Sequence, residues 1–146
     1  MESKELKNII PIQSIWEDLD LLEDRLIEIS SSSDPYLTEI SQYLISAGGK
    51  RFRPLIALLA GKLGEGDNKK VIDAGVSVEL IHLGSLYHDD VIDDATTRRG
   101  VVSTNKQWNS TLAILAGDYL LARSSELAAE SLLSLIHISE PTRPGI

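Results

Sequence analysis

"KKVIDAGVSVELIHLGSLYHDDVIDD", residues 69–94, carries the main evidence for the fold class. It contains no proline and only two glycines, so nothing in it stops a helix of about seven turns. Four aspartates crowd the last turns of that helix. Whether the domain as a whole is helical depends on the segments before and after it.

The segments before this stretch also have helical patterns. Residues 12–29 place an apolar side chain every three or four positions with acidic residues between them, which predicts an amphipathic helix. Asp34 and Pro35 suit the N-cap and the first position of a second helix. Gly48 and Gly49 suit its C-terminal end.

The remaining segments complete the pattern. Pro54 is expected to start a third helix, and residues 54–64 are apolar nearly all round, so this helix should be buried. Residues 96–104 read as a loop, and residues 105–130 return to helix with small side chains on one face. Because alternating strand patterns are missing, the predicted fold class is all-α.

Composition excludes several classes of protein. The 146 residues carry 22 acidic and 14 basic side chains, and the net charge of −8 argues against a nucleic-acid-binding protein. There is no cysteine, so disulfides and thiolate metal sites are ruled out. No apolar run approaches the roughly 20 residues of a transmembrane segment, and the N-terminus lacks a signal-peptide core. We therefore expect a soluble, cytoplasmic chain of one domain.

The four aspartates suggest a metal site. Residues four apart share a helix face, so Asp89 pairs with Asp93 and Asp90 with Asp94. These carboxylates repel one another and meet the negative end of the helix dipole, which costs stability unless a cation neutralises them. Oxygen ligands without histidine or cysteine suit Mg²⁺ or Mn²⁺, whereas the glycine of an EF-hand calcium loop is absent. The alternative is an acidic helix end that is merely solvated.

Basic side chains on both sides of the aspartates suggest binding of diphosphate. Loops beside helix N-termini offer free backbone N–H groups to anions, and guanidinium groups grip phosphate oxygens. Taken singly, each has an ordinary explanation: a solvated loop, a core histidine, or charge balance. Together they predict sites for two diphosphates. The candidates are Lys50 and Arg53 in "GGKRFRP", His82 on the central helix, and Arg98 and Arg99 in the loop after it.

Three motifs carry a family resemblance. "GGKRFRP", "ELIHLGSLYHDDVIDDATTRRG" and "LAGDYLLARS" resemble the consecutive motifs of the trans-isoprenyl (polyprenyl) diphosphate synthases, from about Tyr36 to Glu130. The stretch over residues 106–130 is most similar to the large component of bacterial heptaprenyl diphosphate synthases. The resemblance implies the N-terminal part of the isoprenoid synthase helical bundle, with Mg²⁺ as cofactor. It also implies a prenyltransferase that condenses isopentenyl diphosphate with an allylic diphosphate into a long-chain all-trans polyprenyl diphosphate.

The resemblance assigns roles to the candidate residues. Asp89 and Asp93 match the metal ligands, and Arg98 matches a contact to the allylic diphosphate. With the charge on the departing diphosphate stabilised by Mg²⁺ and Arg98, the allylic carbon can ionise without a protein nucleophile. The residues that match the isopentenyl diphosphate site are Lys50, Arg53, His82 and Arg99.

Small side chains before the metal ligands predict a long product. A chain growing from the metal site would run along the same helix, and Gly84 and Ser85 lie one turn before Asp89. An aromatic side chain at that level would close the cavity early. The alternative product is a shorter farnesyl or geranylgeranyl diphosphate.

The sequence departs from the family pattern near its end. A second aspartate-rich motif, which the family carries on another helix, does not occur after Glu130, so we expect little or no synthase activity from this chain as given. The last residues resemble the read-through of a cloning adapter, and Pro141 and Pro144 oppose a helix there. We therefore expect the front part of a longer protein. Its expected parts are an N-terminal helical segment (1–33), a partial synthase domain (34–130) and a non-native tail (131–146).

Three other classes of function remain open. A terpene cyclase also uses an aspartate-rich motif, but it has no second diphosphate for "GGKRFRP" to hold. A non-catalytic subunit of a two-component synthase would be expected to lack the aspartates. A helical metal-binding or scaffold protein would not bind a diphosphate analogue in a Mg²⁺-dependent way. If the synthase interpretation holds, the full-length protein is expected to be a homodimer or a heterodimer with a small subunit.

Overall fold

The fold is built from helices, which confirms the all-α prediction. The computed structural model describes the backbone of residues 3–64 and 66–139 and the side chains of residues 4–64 and 66–131. In chain order its elements are α1 (Ser3–Ile9), α2 (Gln13–Ser30), α3 (Pro35–Ser46), α4 (Phe52–Gly61), α5 (Asn68–Ile92), β1 (Thr97–Arg98), β2 (Val101–Val102), α6 (Thr104–Gln107) and α7 (Ser110–Ser139).

Helix α5 lies at the centre of the bundle. It packs against α2, α4 and α7, and Val76, Leu80 and Leu83 along it are fully buried. Because several neighbours cover it, its apolar side chains point in several directions instead of forming one stripe. Residues 69–94 therefore also form the middle of the core.

Helices α5 and α7 approach each other through small side chains. A Cβ on Gly84 would lie 2.9 Å from Leu121 Cγ and 3.0 Å from the Gly117 carbonyl oxygen. Two turns earlier, the Ser77 and Ser124 hydroxyls each donate to the other residue's backbone carbonyl, at 3.3 and 2.8 Å. The predicted face of small residues on the last helix is thus present, and it packs against α5.

Local signals placed the first helices correctly. The amphipathic segment forms α2, and Pro35 is the first residue of α3. The Asp34 carboxylate accepts a hydrogen bond from the Tyr36 backbone N–H at 2.9 Å, as expected of an N-cap. Gly48, with φ of 92°, follows the C-terminal end of α3.

Helix α4 differs from its prediction in two respects. It begins at Phe52 instead of Pro54, because Arg51 serves as its N-cap and a proline is tolerated in the first turn. It is also buried on one side only, since Leu55 is 1% exposed and Ile56 is 50% exposed. The expectation that it would be buried all round was wrong.

The predicted loop after α5 is a β-hairpin. Thr97–Arg98 pairs antiparallel with Val101–Val102. Arg99 and Gly100 form the turn with φ of 52° and 77°, the combination found in type I′ turns. The prediction of a loop over these residues was therefore wrong, because strands of two residues are too short to show an alternating pattern.

The helix predicted over residues 105–130 is divided. Helix α6 ends at Gln107, and the Asn109 side chain accepts a hydrogen bond from the Leu112 backbone N–H at 2.8 Å near the start of α7. Between them, the Trp108 ring packs edge-on against Tyr43, with ring centroids 5.1 Å apart. This contact with α3 anchors the break between α6 and α7.

Within the residues described, no helix is long and apolar enough to cross a membrane. Helix α7 continues to Ser139, past the predicted end near Glu130. Pro141 and Pro144 lie outside the described residues. The non-native origin of residues 131–146 and the boundaries at 33 and 130 stay predictions.

Candidate functional site

Four basic side chains predicted to bind diphosphate lie around one cavity of about 230 Å³. The α3–α4 loop and the start of α4 provide one side of its wall, α5 provides another, and the hairpin closes it. The cavity therefore joins segments that are far apart in the sequence. Its wall consists of Lys50, Arg51, Phe52, Arg53, Glu79, His82 and Arg99.

The loop between α3 and α4 brings two guanidinium groups together. Arg51, the N-cap of α4, has the left-handed φ of 50°. A Cβ on Gly49 would lie 2.6 Å from Arg51 Nη1 and 3.0 Å from the Arg99 guanidinium. Only glycine leaves room at this position for both side chains to lie against the loop.

Protein groups hold Arg51 and Arg99 in place. Arg51 is 6% exposed, and its guanidinium donates hydrogen bonds to the Glu23 carboxylate. Arg99 Nη1 donates to the carbonyl oxygens of Leu44 and Gly48, at 3.1 and 2.5 Å. Both guanidinium groups are thus fixed by the fold itself.

Lys50 and Arg53 differ from this pair of arginines. Both are exposed, and neither has a hydrogen bond or ion pair within the part of the chain that the structure describes. The cavity therefore combines two held cations with two that are available to a ligand.

A buried acid lies behind the held arginines. Glu79 is 2% exposed, with Oε1 3.4 Å from Arg51 Nη1 and 3.9 Å from Arg99 Nη2. Burial raises the pKa of the Glu79 carboxyl, and the positive charges of Arg51 and Arg99 oppose that rise. Burial therefore disfavours the charged carboxylate, and the two arginines partly offset this cost.

His82 differs from the other predicted diphosphate-binding residues because its imidazole has an ordinary pKa of 6.5, close to neutral pH. Burial lowers its pKa, and the positive charges of Arg53, Arg99 and two further arginines lower it further. A neutral imidazole carries one N–H donor and one acceptor nitrogen. At neutral pH, His82 therefore offers an N–H donor to an anion without adding a full charge.

The C-terminal end of α5 carries two exposed carboxylates, Asp89 and Asp93. The Asp93 backbone N–H donates to the Asp89 carbonyl at 2.9 Å, so helical spacing continues to Asp93 and places both side chains on one face. Neither carboxylate has a hydrogen bond or ion pair among the described residues.

The second predicted aspartate pair does not form. Asp90 is 1% exposed and accepts hydrogen bonds from Arg98 Nη2 at 2.6 Å and Arg98 Nε at 3.1 Å. Asp94 lies beyond the end of α5 with φ of 49°, and its carboxylate lies 2.7 Å from Lys106 Nζ. The pairing of Asp90 with Asp94 was wrong because the helix ends between them.

The two adjacent arginines of the hairpin contact different elements. Arg98, in β1, reaches α5 and keeps 30% of its side chain exposed. Its hydrogen bond with Asp90, and the nearby charges of Asp89 and Asp93, raise its pKa. Arg99, in the turn, reaches the loop after α3 instead. One arginine therefore lies beside the aspartates and the other beside the cationic cavity.

The exposed carboxylates fit part of a metal site. Among the described residues, no group of three or more histidine, cysteine, aspartate or glutamate side chains could hold an ion. Asp89 and Asp93 are hard oxygen donors without protein partners in that part of the chain. This donor set suits Mg²⁺ or Mn²⁺, which keeps several waters and takes its other ligands from phosphate oxygens.

The two residues predicted to control product length lie on different sides of α5. Ser85 is half-buried on the face of Asp89, and its hydroxyl donates to the His82 carbonyl at 2.6 Å. Gly84 instead faces α7, where Leu121 is its nearest neighbour. A larger side chain at position 84 would therefore contact α7 first. The influence of both residues on product length stays a prediction.

Sequence reasoning assigned no role to several residues of this region. Glu79 precedes His82 by three positions on the same helix face, which was the available signal for it. The motif "LAGDYLLARS" also had no assigned residue. Its Asp118 Oδ1 lies 3.1 Å from Nε2 of His88, the residue before Asp89, and so connects α7 to the end of α5.

Comparisons with known proteins agree with these features. The family model described as polyprenyl synthetase matches residues 34–142. Heptaprenyl diphosphate synthase component 2 of Bacillus subtilis (strain 168) is 43% identical over 111 residues, which cover 76% of this chain and 32% of that protein. Nonaprenyl diphosphate synthase of Mycobacterium tuberculosis is 50% identical over 98 residues, which cover 66% of this chain and 29% of that protein.

A solved structure shows the same fold. The polyprenyl synthase from Caulobacter crescentus CB15, complexed with calcium and isoprenyl diphosphate, superposes with a TM-score of 0.76 at 34% identity. The match covers 81% of this chain and 36% of that one. The chain spans about a third of the length of the relatives it matches. With the family model covering most of its residues, the chain belongs to the polyprenyl synthetase family.

Proposed function

We propose that this chain forms one wall of a prenyltransferase active site that condenses isopentenyl diphosphate with an allylic diphosphate. The observation that carries the proposal is the convergence of four basic side chains on one cavity beside α5, the helix that also presents Asp89 and Asp93. Both sites use side chains of α5, so two diphosphates could be held in a fixed relation to each other.

The cationic cavity is the proposed site of isopentenyl diphosphate. Lys50 and Arg53 lack protein partners in the described residues, so they can turn toward the ligand's phosphate oxygens. Arg99 offers a fixed guanidinium, and His82 offers one N–H donor. Fixed donors cost little reorganisation when the anion binds, which favours positioning of the attacking double bond.

The end of α5 is the proposed site of the allylic diphosphate. Asp89 and Asp93 would hold Mg²⁺, which neutralises charge on the departing diphosphate. Arg98 lies beside them with part of its side chain exposed, and its guanidinium is positively charged at neutral pH. Arg98 therefore supplies a cation to the leaving group while Asp90 keeps its guanidinium in place.

A long product is the proposed outcome of the reaction. Two of the relatives are named for heptaprenyl and nonaprenyl diphosphates. Ser85, on the face of Asp89, is small enough to leave space for a chain that grows along α5. The name "component 2" of the Bacillus relative indicates a synthase of more than one component, and we propose that the full-length protein works as a homodimer or with a small subunit.

The metal half of the proposal can be tested by titration of the chain with the thiolodiphosphate analogue of farnesyl diphosphate. Binding is expected to require Mg²⁺ and to be lost in Asp89→Asn and Asp93→Asn. Asp24→Asn, which removes an exposed carboxylate from α2, is the matched control and should bind like the unmodified chain. Binding that does not depend on Mg²⁺, or that survives both substitutions, would refute the assignment. If the chain binds Mg²⁺ but does not bind the analogue, a plain metal-binding protein is favoured.

A further inference from the structure

Glu79 is the acidic member of the cationic cavity wall. It is 2% exposed, whereas Asp89 and Asp93 are in contact with solvent. A buried carboxylate in a cavity for anions opposes the ligand's charge and loses its own hydration. Such a group is expected to have a compensating task.

The contacts of Glu79 indicate what that task is. Its carboxylate lies between two guanidinium groups, 3.4 Å from Arg51 and 3.9 Å from Arg99. Without the negative charge of Glu79, the two positively charged guanidinium groups would repel each other. Burial lowers the pKa of Arg99, the charge of Arg51 lowers it further, and the charge of Glu79 opposes both effects.

The contacts of Arg99 also indicate that Glu79 helps to hold the Arg99 guanidinium in place. Its Nη1 is fixed by the carbonyl oxygens of Leu44 and Gly48, while Nη2 is the nitrogen that approaches Glu79. The guanidinium is thus restrained from two directions. The carbonyl of Leu44 is itself in a braced segment, because the buried Tyr87 hydroxyl donates to the Ile40 carbonyl at 2.6 Å in the same helix.

We propose that Glu79 is a positioning residue of the diphosphate site, which holds Arg99 beside Arg51 so that an arriving diphosphate meets a guanidinium already in place. The proposal rests on the proposed function of the cavity. It assigns Glu79 no contact with the ligand, and its effect on binding passes through Arg99.

This role predicts an effect opposite in sign to simple electrostatics. Glu79→Gln removes a negative charge from the wall of an anion site, so charge alone would tighten binding of a diphosphate. If Glu79 positions Arg99, the same substitution weakens binding instead. Loss of one well-placed, charge-assisted contact is expected to weaken it about tenfold.

Calorimetric titration with inorganic diphosphate shows whether Glu79→Gln weakens or tightens binding. Glu17→Gln, which removes an exposed charge from α2, is the control for net charge and should bind within about twofold of the unmodified chain. A double variant then tests the route through Arg99. Because Arg99→Gln already removes the positioned group, Glu79→Gln in that background is expected to cause no further loss. Additive losses would show that Glu79 acts elsewhere and would overturn the proposal.

A measurement on the unmodified chain keeps the test valid if Glu79→Gln folds poorly. In ¹⁵N-arginine spectra without ligand, the Nη–H groups of Arg99 should give separate signals because rotation is hindered, while those of the exposed Arg53 should average. Averaged signals from Arg99 would contradict the positioning role. Failure of the unmodified chain to bind diphosphate would contradict the proposed function itself. Normal binding by the unmodified chain together with equal or tighter binding by Glu79→Gln would overturn only the role of Glu79.

Discussion

Replacement of Asp90 by asparagine tests whether the four clustered aspartates have different roles. The Asp90 carboxylate is 1% exposed and receives hydrogen bonds from two nitrogens of Arg98, the shorter at 2.6 Å. Breaking a buried ion pair costs about 3–5 kcal/mol. Arg98 is 30% exposed, and asparagine can still accept one hydrogen bond, so we expect a loss of about 2 kcal/mol in the free energy of unfolding. For a chain of this length, that corresponds to a melting temperature lower by about 6 °C.

The neighbouring aspartates provide matched controls with the same chemical change. Asp89 and Asp93 are exposed carboxylates near the negative end of the α5 dipole. Asp89→Asn and Asp93→Asn relieve repulsion there, so stability should stay the same or rise by about 0.5 kcal/mol. Urea unfolding followed by circular dichroism, in buffer with a chelator, compares all three variants without a contribution from bound metal.

The free energy of unfolding is therefore expected to fall clearly in Asp90→Asn and not to fall in the other two variants. Equal losses in all three variants would refute the separation of Asp90 from the exposed pair. An unchanged stability of Asp90→Asn would show that its contact with Arg98 contributes little to the fold.

Three further predictions concern packing, pH and product length. Gly84→Ala should lower the free energy of unfolding by about 1–2 kcal/mol, because its Cβ would lie 3.0 Å from a backbone carbonyl of α7. Gly75→Ala should lower it little, because its closest contact, at 2.6 Å, is the flexible end of Leu22. Urea unfolding that shows the reverse order would contradict this packing argument. The pKa of His82 is lowered in the folded state from its ordinary value of 6.5, so the unfolded chain binds more protons near that pH and the free energy of unfolding should fall as pH falls from about 7 to 5. His82→Gln should make that slope shallower in unfolding curves measured across the range, and an identical slope would argue against the shift. In a complete synthase that contains this segment, Ser85→Phe should shorten the prenyl product, as measured by chromatography of the dephosphorylated alcohols, and unchanged product length would rule out Ser85 as part of the cavity wall.

The helices were predictable because their signals are local. An N-cap such as Asp34 and an apolar repeat such as that of residues 12–29 act within a few residues of their own position. The same applies to the shared face of Asp89 and Asp93, which follows from helical spacing alone. The hairpin was missed because two-residue strands are too short to carry a pattern, although Gly100 in its turn was visible in the sequence.

Contacts between distant segments were harder to predict. Arg51 and Glu79 are 28 positions apart, and Arg99 and Leu44 are 55 apart. A sequence pattern shows which face of a helix a charge occupies, but not which other element will cover that face. The same reasoning explains Asp90, which has the same side chain as its neighbours and differs from them only because the hairpin folds back over it. The resemblance named four residues of the cavity, and the fold was needed to show which of them are held and which are available.

We propose that the cationic cavity binds the diphosphate of isopentenyl diphosphate. Calorimetric titration of the chain with isopentenyl diphosphate in the absence of Mg²⁺ tests it most directly. We expect one binding site that is lost in the double variant Lys50→Gln/Arg53→Gln and retained in Lys4→Gln/Lys69→Gln, which removes two exposed charges from other parts of the chain. No binding by the unmodified chain, or equal weakening in both double variants, would contradict the account.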